Sequence, residues 1–243
     1  MVLRLDLHVH SDRSSDGRSS LPELISAAKM CGLDGFALAD HDLLSQAMEQ
    51  EDFVIIPACE CSTTEGHIVG LFLSELPHCL KSQTGRLPTA EEAIDEIRRQ
   101  GGISIWAHPY ERHSAINEEA AMLADFIETA NARANFKNSK ANAQAADLAR
   151  RLGKSATGGS DGHHANEVGN AYTELNCKGR SLDDIRQALS DTNTRPVLHR
   201  DTPRLQKGLS QLEKCRKTNV GLLRRCKAYA YLLYCLILDL IKG

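Results

Sequence analysis

The sequence lacks any large charge of one sign: 29 Lys and Arg stand against 32 Asp and Glu, a formal net charge of -3. No global basic field therefore argues for nonspecific nucleic-acid binding. A secretory opening is missing as well. Met1–Asp6 enters a strand pattern directly, without an apolar core or a small-residue cleavage site, and a cytoplasmic location is expected. The eight cysteines form no compact framework and read as free thiols in a reducing compartment. The nearest pair, Cys59 and Cys61, shares one strand face opposite Glu60 and reads as buried apolar packing. No apolar run is long enough to span a bilayer, and the best candidate, Ala228–Leu238, falls well short. At 243 residues, one large α/β domain with a well-buried core needs no second domain.

What is present is a regular alternation. Apolar runs at Val2–Val9, Gly35–Ala39, Phe53–Ala58, Ile68–Leu73, Ile103–Ala107, Phe126–Thr129 and, more weakly, Ser155–Thr157 read as strands. Amphipathic stretches lie between them. One opens at Ser20-Leu21-Pro22-Glu23 and closes at Gly32, with proline early and glycine late. Another has Thr89 and Glu92 as a capping box and runs to Gly101, and a third spans Asn138–Leu152 before Gly153. Such alternation implies a parallel sheet, and about seven units would close it into a TIM-like barrel.

Metal-binding side chains cluster at the ends of these strands, where barrels of this kind carry their chemistry. His8 and His10 end the first run and, two apart on an extended chain, can reach one cation. His41 follows the second, Glu60 the third, and His108 ends the fifth before Pro109. Glu60 is suited to bridging two ions, one through each oxygen. Asp161 and His163, in Gly158-Gly159-Ser160-Asp161-Gly162-His163, follow the last run and suit adjacent ions. His67 is out of pattern because it precedes its run. A further carboxylate comes from the loop after the first strand, as Asp12 or Asp16. His113 and His164 read as solvent-exposed bystanders. Six imidazoles and three carboxylates are too many for one ion and a natural complement for three.

The ordered set Asp6-Leu7-His8-Val9-His10-Ser11, Ser15-Asp16-Gly17, Ala39-Asp40-His41-Asp42, Glu60-Cys61-Ser62-Thr63, His67-Ile68-Val69-Gly70, Ala107-His108-Pro109 and Gly159-Ser160-Asp161-Gly162-His163 resembles the polymerase-and-histidinol-phosphatase (PHP) family over roughly residues 1–200. The resemblance selects Asp16 over Asp12. It implies a distorted seven-stranded β/α barrel that binds up to three divalent ions and cleaves phosphoesters. It also implies a sharing of ligands: His8, His10, Glu60 and Asp161 for one ion, Glu60, His67 and His108 for a second, and Asp16, His41 and His163 for a third. Ile127–Arg133, with Asn142 and Ala145–Ala149, and Glu167–Thr173 are similar to the stand-alone phosphoesterase branch. The chain has no polymerase domain.

The expected activity is therefore divalent-metal-dependent hydrolysis of a phosphoester by a metal-activated water in a trinuclear site. The substrate would be a small phosphorylated metabolite, a nucleotide, or a short RNA or DNA oligonucleotide. Two to three ions are expected; imidazole and carboxylate without thiolate admit manganese, iron or zinc. Glu60 and His163 belong to the catalytic set, and Arg133 is the expected phosphate clamp, since a guanidinium pairs bidentately with phosphate. Arg112 is a second choice. An amidohydrolase-type C–N hydrolase would use a bridging lysine where Glu60 stands, and a noncatalytic metal-binding module would need fewer, closed sites. Residues 201–243 read as a separate basic and apolar helical tail. Leu222, Cys226, Tyr229, Leu233, Leu236 and Leu240 mark one helix face, for packing on the barrel or on a second copy in a homo-oligomer, ahead of a membrane-surface or RNA-contacting role. All candidate ligands and both arginines precede this tail, so the barrel mouth reads as complete without it.

Overall fold

A computed structural model describes residues 1–81, 85–113 and 115–242. Among these residues ten strands form one sheet: β1 (Val2–Val9), β2 (Gly35–Leu38), β3 (Met48–Glu49), β4 (Val54–Thr63), β5 (Gly66–Leu71), β6 (Ile103–Ala107), β7 (Phe126–Asn131), β8 (Ser155–Gly159), β9 (Ala171–Asn176) and β10 (Thr194–Leu198). Their order is β10-β9-β1-β2-β4-β5-β6-β7-β8, with β3 paired to β4. The sheet curls into a nearly closed barrel. Val9 bridges Gly162, just past β8, and Thr173 of β9 bonds the Gly158 amide and carbonyl through its Oγ1 at 2.8 and 2.9 Å.

The seven apolar runs correspond to β1, β2, β4, β5, β6, β7 and β8, but the sheet is mixed and not wholly parallel. β4 and β5 are antiparallel, joined by the two residues Thr64 and Glu65, and β5 is antiparallel to β6. A two-residue link can only reverse the chain, because a parallel crossover needs a dozen residues or more. Gly66 takes a φ of 122°, which suits glycine alone. β9 and β10 are also antiparallel additions, beyond the seven.

Among the described residues, seven α-helices surround the sheet: α1 (Leu21–Met30), α2 (Ala90–Arg99), α3 (Glu118–Leu123), α4 (Ala141–Leu152), α5 (Leu182–Ser190), α6 (Arg204–Lys217) and α7 (Leu222–Lys242). The capping boxes at Ser20/Glu23 and Thr89/Glu92 are formed. α4 starts at Ala141, three residues later than Asn138, whose side chain bonds Tyr110 and Gln144 in a turn before the helix. Leu3, Leu5, Leu7, Ile56, Val69, Ile105 and Phe126 fill one core with Ile185 and Leu189 of α5. Two outer layers lie under α1 and under α2, α3 and α4.

The tail is a helical hairpin folded back over the barrel. Gly208 of α6 lets Leu232 of α7 approach closely, since a Cβ there would lie 2.9 Å from Leu232 Cδ1. Asp239 of α7 accepts the Arg204 and Leu205 amides at 3.1 and 2.8 Å, satisfying two of the free N–H groups at the start of α6. Among the described residues, no helix is long and apolar enough to cross a membrane.

Candidate metal centre

Leu7 belongs to the barrel core, whereas Val9 packs outside under α1. Between them the register of β1 against β2 shifts, at Asp6 to Val9. Such an irregularity re-aims side chains, and here it turns His8 and His10 into the mouth, both buried. Asp6 is buried beside them. It accepts the amides of His8, Ser160 and Gly169, and burial pushes its pKa up to about 6 against those bonds.

Glu60, fully buried, is the hub of the cluster. Its Oε1 lies 2.8 Å from His67 Nδ1, 3.1 Å from His108 Nε2 and 3.4 Å from His8 Nε2. Its Oε2 lies 2.8 Å from His41 Nδ1 and 3.3 Å from His10 Nε2. The out-of-pattern position of His67 follows from the hairpin: in the reversed strand β5 it is the first residues that reach the mouth, and His67 pairs with Ser62 of β4 and Ala107 of β6. Asp161 Oδ1 lies 3.4 Å from His10 Nε2 and 3.9 Å from His8 Nε2. Asp16 reaches His163 Nε2 at 3.4 Å and His41 Nε2 at 3.7 Å. All nine candidates therefore meet at one mouth. Asp12 is exposed, His113 is exposed, and His164 caps the short turn at Asn166.

The imidazoles are fixed from behind, as metal-binding histidines usually are. His8 Nδ1–H donates to Glu128 Oε1 at 3.1 Å. His10 Nδ1–H donates to Ser14 Oγ at 3.3 Å, and Ser14 in turn donates to Asp40 at 2.8 Å. His163 Nδ1–H donates to the Asp161 carbonyl at 2.8 Å. Each arrangement leaves Nε2 bare toward the centre. His108 and Asp161 hold φ of 26° and 53°, backbone strain of the kind that concentrates at functional sites.

Burial raises the Glu60 carboxyl, but His67, His41 and His8 overcome it and hold it well below the usual range. Asp161 and Asp16 are also depressed: burial raises them, and the neighbouring His8 for Asp161 and His163 for Asp16 are the chief influences that bring them down. His41 is raised to about 9, because Glu60 and Asp16 outweigh its burial. His8 and His108 are raised despite burial, His8 chiefly by Glu60 and Glu128, and His108 by Glu60 and Asp161. Burial and the neighbouring His163 press His10 down to about 3.

The donor set fits divalent ions. His8 Nε2, His10 Nε2, Asp16 Oδ1, Glu60 Oε2 and His67 Nδ1 are buried with no hydrogen-bond partner among the described residues. Bare polar atoms at such depth are costly unless something binds them. Four triplets bring their ligand atoms within 4.8 Å of one another: His8–His10–Asp161, His8–Glu60–His108, His41–Glu60–His67 and His10–His41–His163.

Above the centre opens a cavity of about 600 Å³. Arg133 lines it but is not free: Nε donates to Glu167 at 2.7 Å, and Nη2 to Glu167 at 3.2 Å and Ser210 at 3.0 Å. Arg112, largely exposed, sits at the edge with its Nε 3.3 Å from Glu111. The mouth is not complete without the tail, contrary to the expectation from ligand positions. Lys207, Ser210, Lys214, Arg224, Lys227 and Tyr231 from α6 and α7 line the cavity too. Lys207 pairs with the buried Glu111 behind His108, and this ammonium draws Glu111 down to about 2 against its burial. No local pattern in the sequence tied these residues to a site nearly 100 positions earlier. Glu128 was more legible: a carboxylate in the middle of a fully buried strand needs a partner.

The sequence matches the PHP domain over residues 6–65 and the PHP-associated region over residues 139–194. An uncharacterised protein of Methanocaldococcus jannaschii is 32% identical over 189 residues, covering 72% of this chain and 72% of that one. In structure, the chain is similar to a two-domain protein of Bacteroides vulgatus containing a predicted PHP-like metal-dependent phosphoesterase. The TM-score is 0.61 at 23% identity, covering 82% of this chain and 65% of that one. It is also similar to the lesion-specific endonuclease Q of Pyrococcus furiosus, with a TM-score of 0.59 at 19% identity, covering 81% of this chain and 58% of that one. Both of those proteins extend beyond the part that this chain spans. The chain belongs to the PHP family.

Proposed function

We propose that the protein is a divalent-metal-dependent phosphoester hydrolase. The observation that carries this reading is the convergence of nine ligand side chains on a centre where five buried polar atoms have no hydrogen-bond partner among the described residues. Divalent ions there would lower the pKa of water to give a nucleophile at neutral pH and neutralise charge on the phosphoryl oxygens. His8, His10, Glu60 and Asp161 are assigned to one ion, Glu60, His67 and His108 to a second, and Asp16, His41 and His163 to a third. The two faces of Glu60, Oε1 toward His67 and His108 and Oε2 toward His10 and His41, support its bridging role. Manganese, iron and zinc all suit imidazole with carboxylate.

Arg133 is assigned as a phosphate-binding group. Its Nη1 makes no hydrogen bond among the described residues, and the pairing of Nε and Nη2 with Glu167 holds the guanidinium in one orientation at the cavity wall. The cavity lies within the usual size of small-molecule sites, which favours a phosphorylated metabolite or nucleotide. A short oligonucleotide is kept because endonuclease Q shares the fold. The eight free cysteines fit a reducing, cytoplasmic setting. The test is a substrate panel on the ion-loaded protein: histidinol phosphate, nucleoside mono- and bisphosphates, short RNA and short DNA, with an amide as contrast. Turnover of the amide alone would replace this reading with a C–N hydrolase.

A further inference from the structure

The loop between β1 and α1 is folded so that the carbonyls of Asp12, Ser14 and Gly17 converge on one point. Lys217, at the C-terminal end of α6 and some 200 residues away in sequence, places its ammonium there, at 2.7, 2.9 and 2.7 Å from the three oxygens. An ammonium has three N–H donors and no acceptor, so three carbonyls use its full capacity. The loop has little slack: a Cβ on Gly17 would lie 1.8 Å from the Ser11 carbonyl oxygen. It carries Asp16, which faces His163 and His41. It also carries Ser14, which links His10 to Asp40.

We propose that Lys217 is a positioning residue for Asp16, so that the docked tail sets the occupancy of the ion assigned to Asp16, His41 and His163. The inference rests on the ion assignment made above. Simple electrostatics runs the other way. An ammonium near an ion site repels the ion, so removing it should by itself tighten binding. Lys214, three residues earlier on α6, is that simple case. Its Nζ lies 3.9 Å from Asp16 Oδ2, and its side chain is 47% exposed. Lys217 bonds the loop backbone instead, and holds the carboxylate where the ion needs it. Two lysines on one helix are therefore expected to act with opposite signs.

The experiment compares Lys217→Met and Lys214→Met in the full chain, with manganese alone as the probe. Ions per chain, the affinity for the last ion, and amide hydrogen exchange over residues 11–19 of the ion-free protein are measured. Lys217→Met should weaken the last ion roughly 10- to 100-fold, the usual effect of losing a group that orients a ligand, and should speed exchange in the loop. Lys214→Met should leave that affinity unchanged or raise it. Equal last-ion affinity in Lys217→Met and the unaltered chain overturns the proposal, as does an equal loss in both variants. If Lys217→Met does not fold, Lys217→Arg decides. It keeps the charge, but its planar fork cannot address three converging carbonyls as an ammonium does, and an undiminished last ion would again be fatal. An unaltered chain that binds no divalent ion would sink the metal reading itself and this inference with it. Intact ion binding with an indifferent Lys217 sinks only the inference.

Discussion

Glu128 accepts the Nδ1–H of His8 at 3.1 Å, while its other oxygen accepts the His108 amide and the Asn131 side chain, each at 2.9 Å. One carboxylate thus sets the tautomer of one candidate ligand and the backbone of another. Glu128→Gln nearly preserves volume but has only one acceptor. If its oxygen serves the two donors, its amide faces His8 and forces the Nδ1 lone pair toward it, moving the proton to Nε2. Ion affinity should fall about 10- to 100-fold with little change in the ion-free fold. Calorimetric titration measures it, and an unchanged affinity would remove Glu128 from the account.

Arg133 and Glu167 are both buried, and without Arg133 the carboxylate keeps only the Arg18 guanidinium, at 3.3 Å. Arg133→Ala should lower stability, but by less than the roughly 3–5 kcal/mol of a wholly unpaired buried charge, because Arg18 remains. Adding Glu167→Gln should recover much of that. The double variant then reports the substrate role alone, with a binding loss of roughly 1.5–3 kcal/mol for a missing charged hydrogen bond and the ion content intact. Ion loss in the stabilised double variant would assign Arg133 to the scaffold.

His41 is held up to about 9 from an ordinary value of 6.5, and His8 and His108 are raised as well. Raised histidines contribute stability that is fully present below the unfolded pKa and is lost as pH climbs through the folded one. Ions need the neutral imidazole, so protons compete with them. The ion-free protein should therefore lose thermal stability between about pH 6.5 and 9, while affinity for ions rises across the same window. Melting temperatures and ion titrations at stepped pH check both signs, and an ion-free melting point that climbs across the window contradicts the charge arrangement.

Much of this centre was legible because strand periodicity and strand-end position are local properties. His8, His10, His41 and His108 sit where an apolar run stops, and a charged or metal-binding group there has few uses except at a mouth. His67 looked misplaced only because a sequence shows the direction of a strand less readily than its existence; the tight Thr64-Glu65 reversal resolves it. β9 and β10 went unread for other reasons. β9 alternates buried and half-exposed residues, and β10 carries Pro196 and no fully buried residue. The tail's place above the mouth depends on long-range pairs such as Lys217 with the β1–α1 loop, Lys207 with Glu111 and Ser210 with Arg133. No periodicity encodes those.

On α7, Leu222, Tyr229, Leu233 and Leu240 are 78%, 60%, 57% and 73% exposed, and with Cys226 and Leu236 they recur at steps of four and three. That spacing suits the seam of a paired helix, and an exposed apolar stripe of this kind marks an interaction surface. We expect it to meet the same seam of a second copy. Leu233→Asp should convert a dimer to a monomer in light scattering, with the ion content unchanged. An unaltered chain that stays monomeric at high concentration would mean that the seam has another use.

The central claim is hydrolysis that depends on the Glu60-centred ions, and the most direct measurement is turnover of an aryl phosphate by the ion-free protein before and after reconstitution. Chelation should abolish turnover, and manganese, iron or zinc should restore it. Glu60→Gln, which removes the charge between His67, His108, His41 and His10, should bind fewer ions and stay inactive after reconstitution, whereas His113→Ala should behave nearly as the unaltered chain. Turnover that persists in the fully ion-free protein, or equal losses in the Glu60 and His113 variants, would contradict the account.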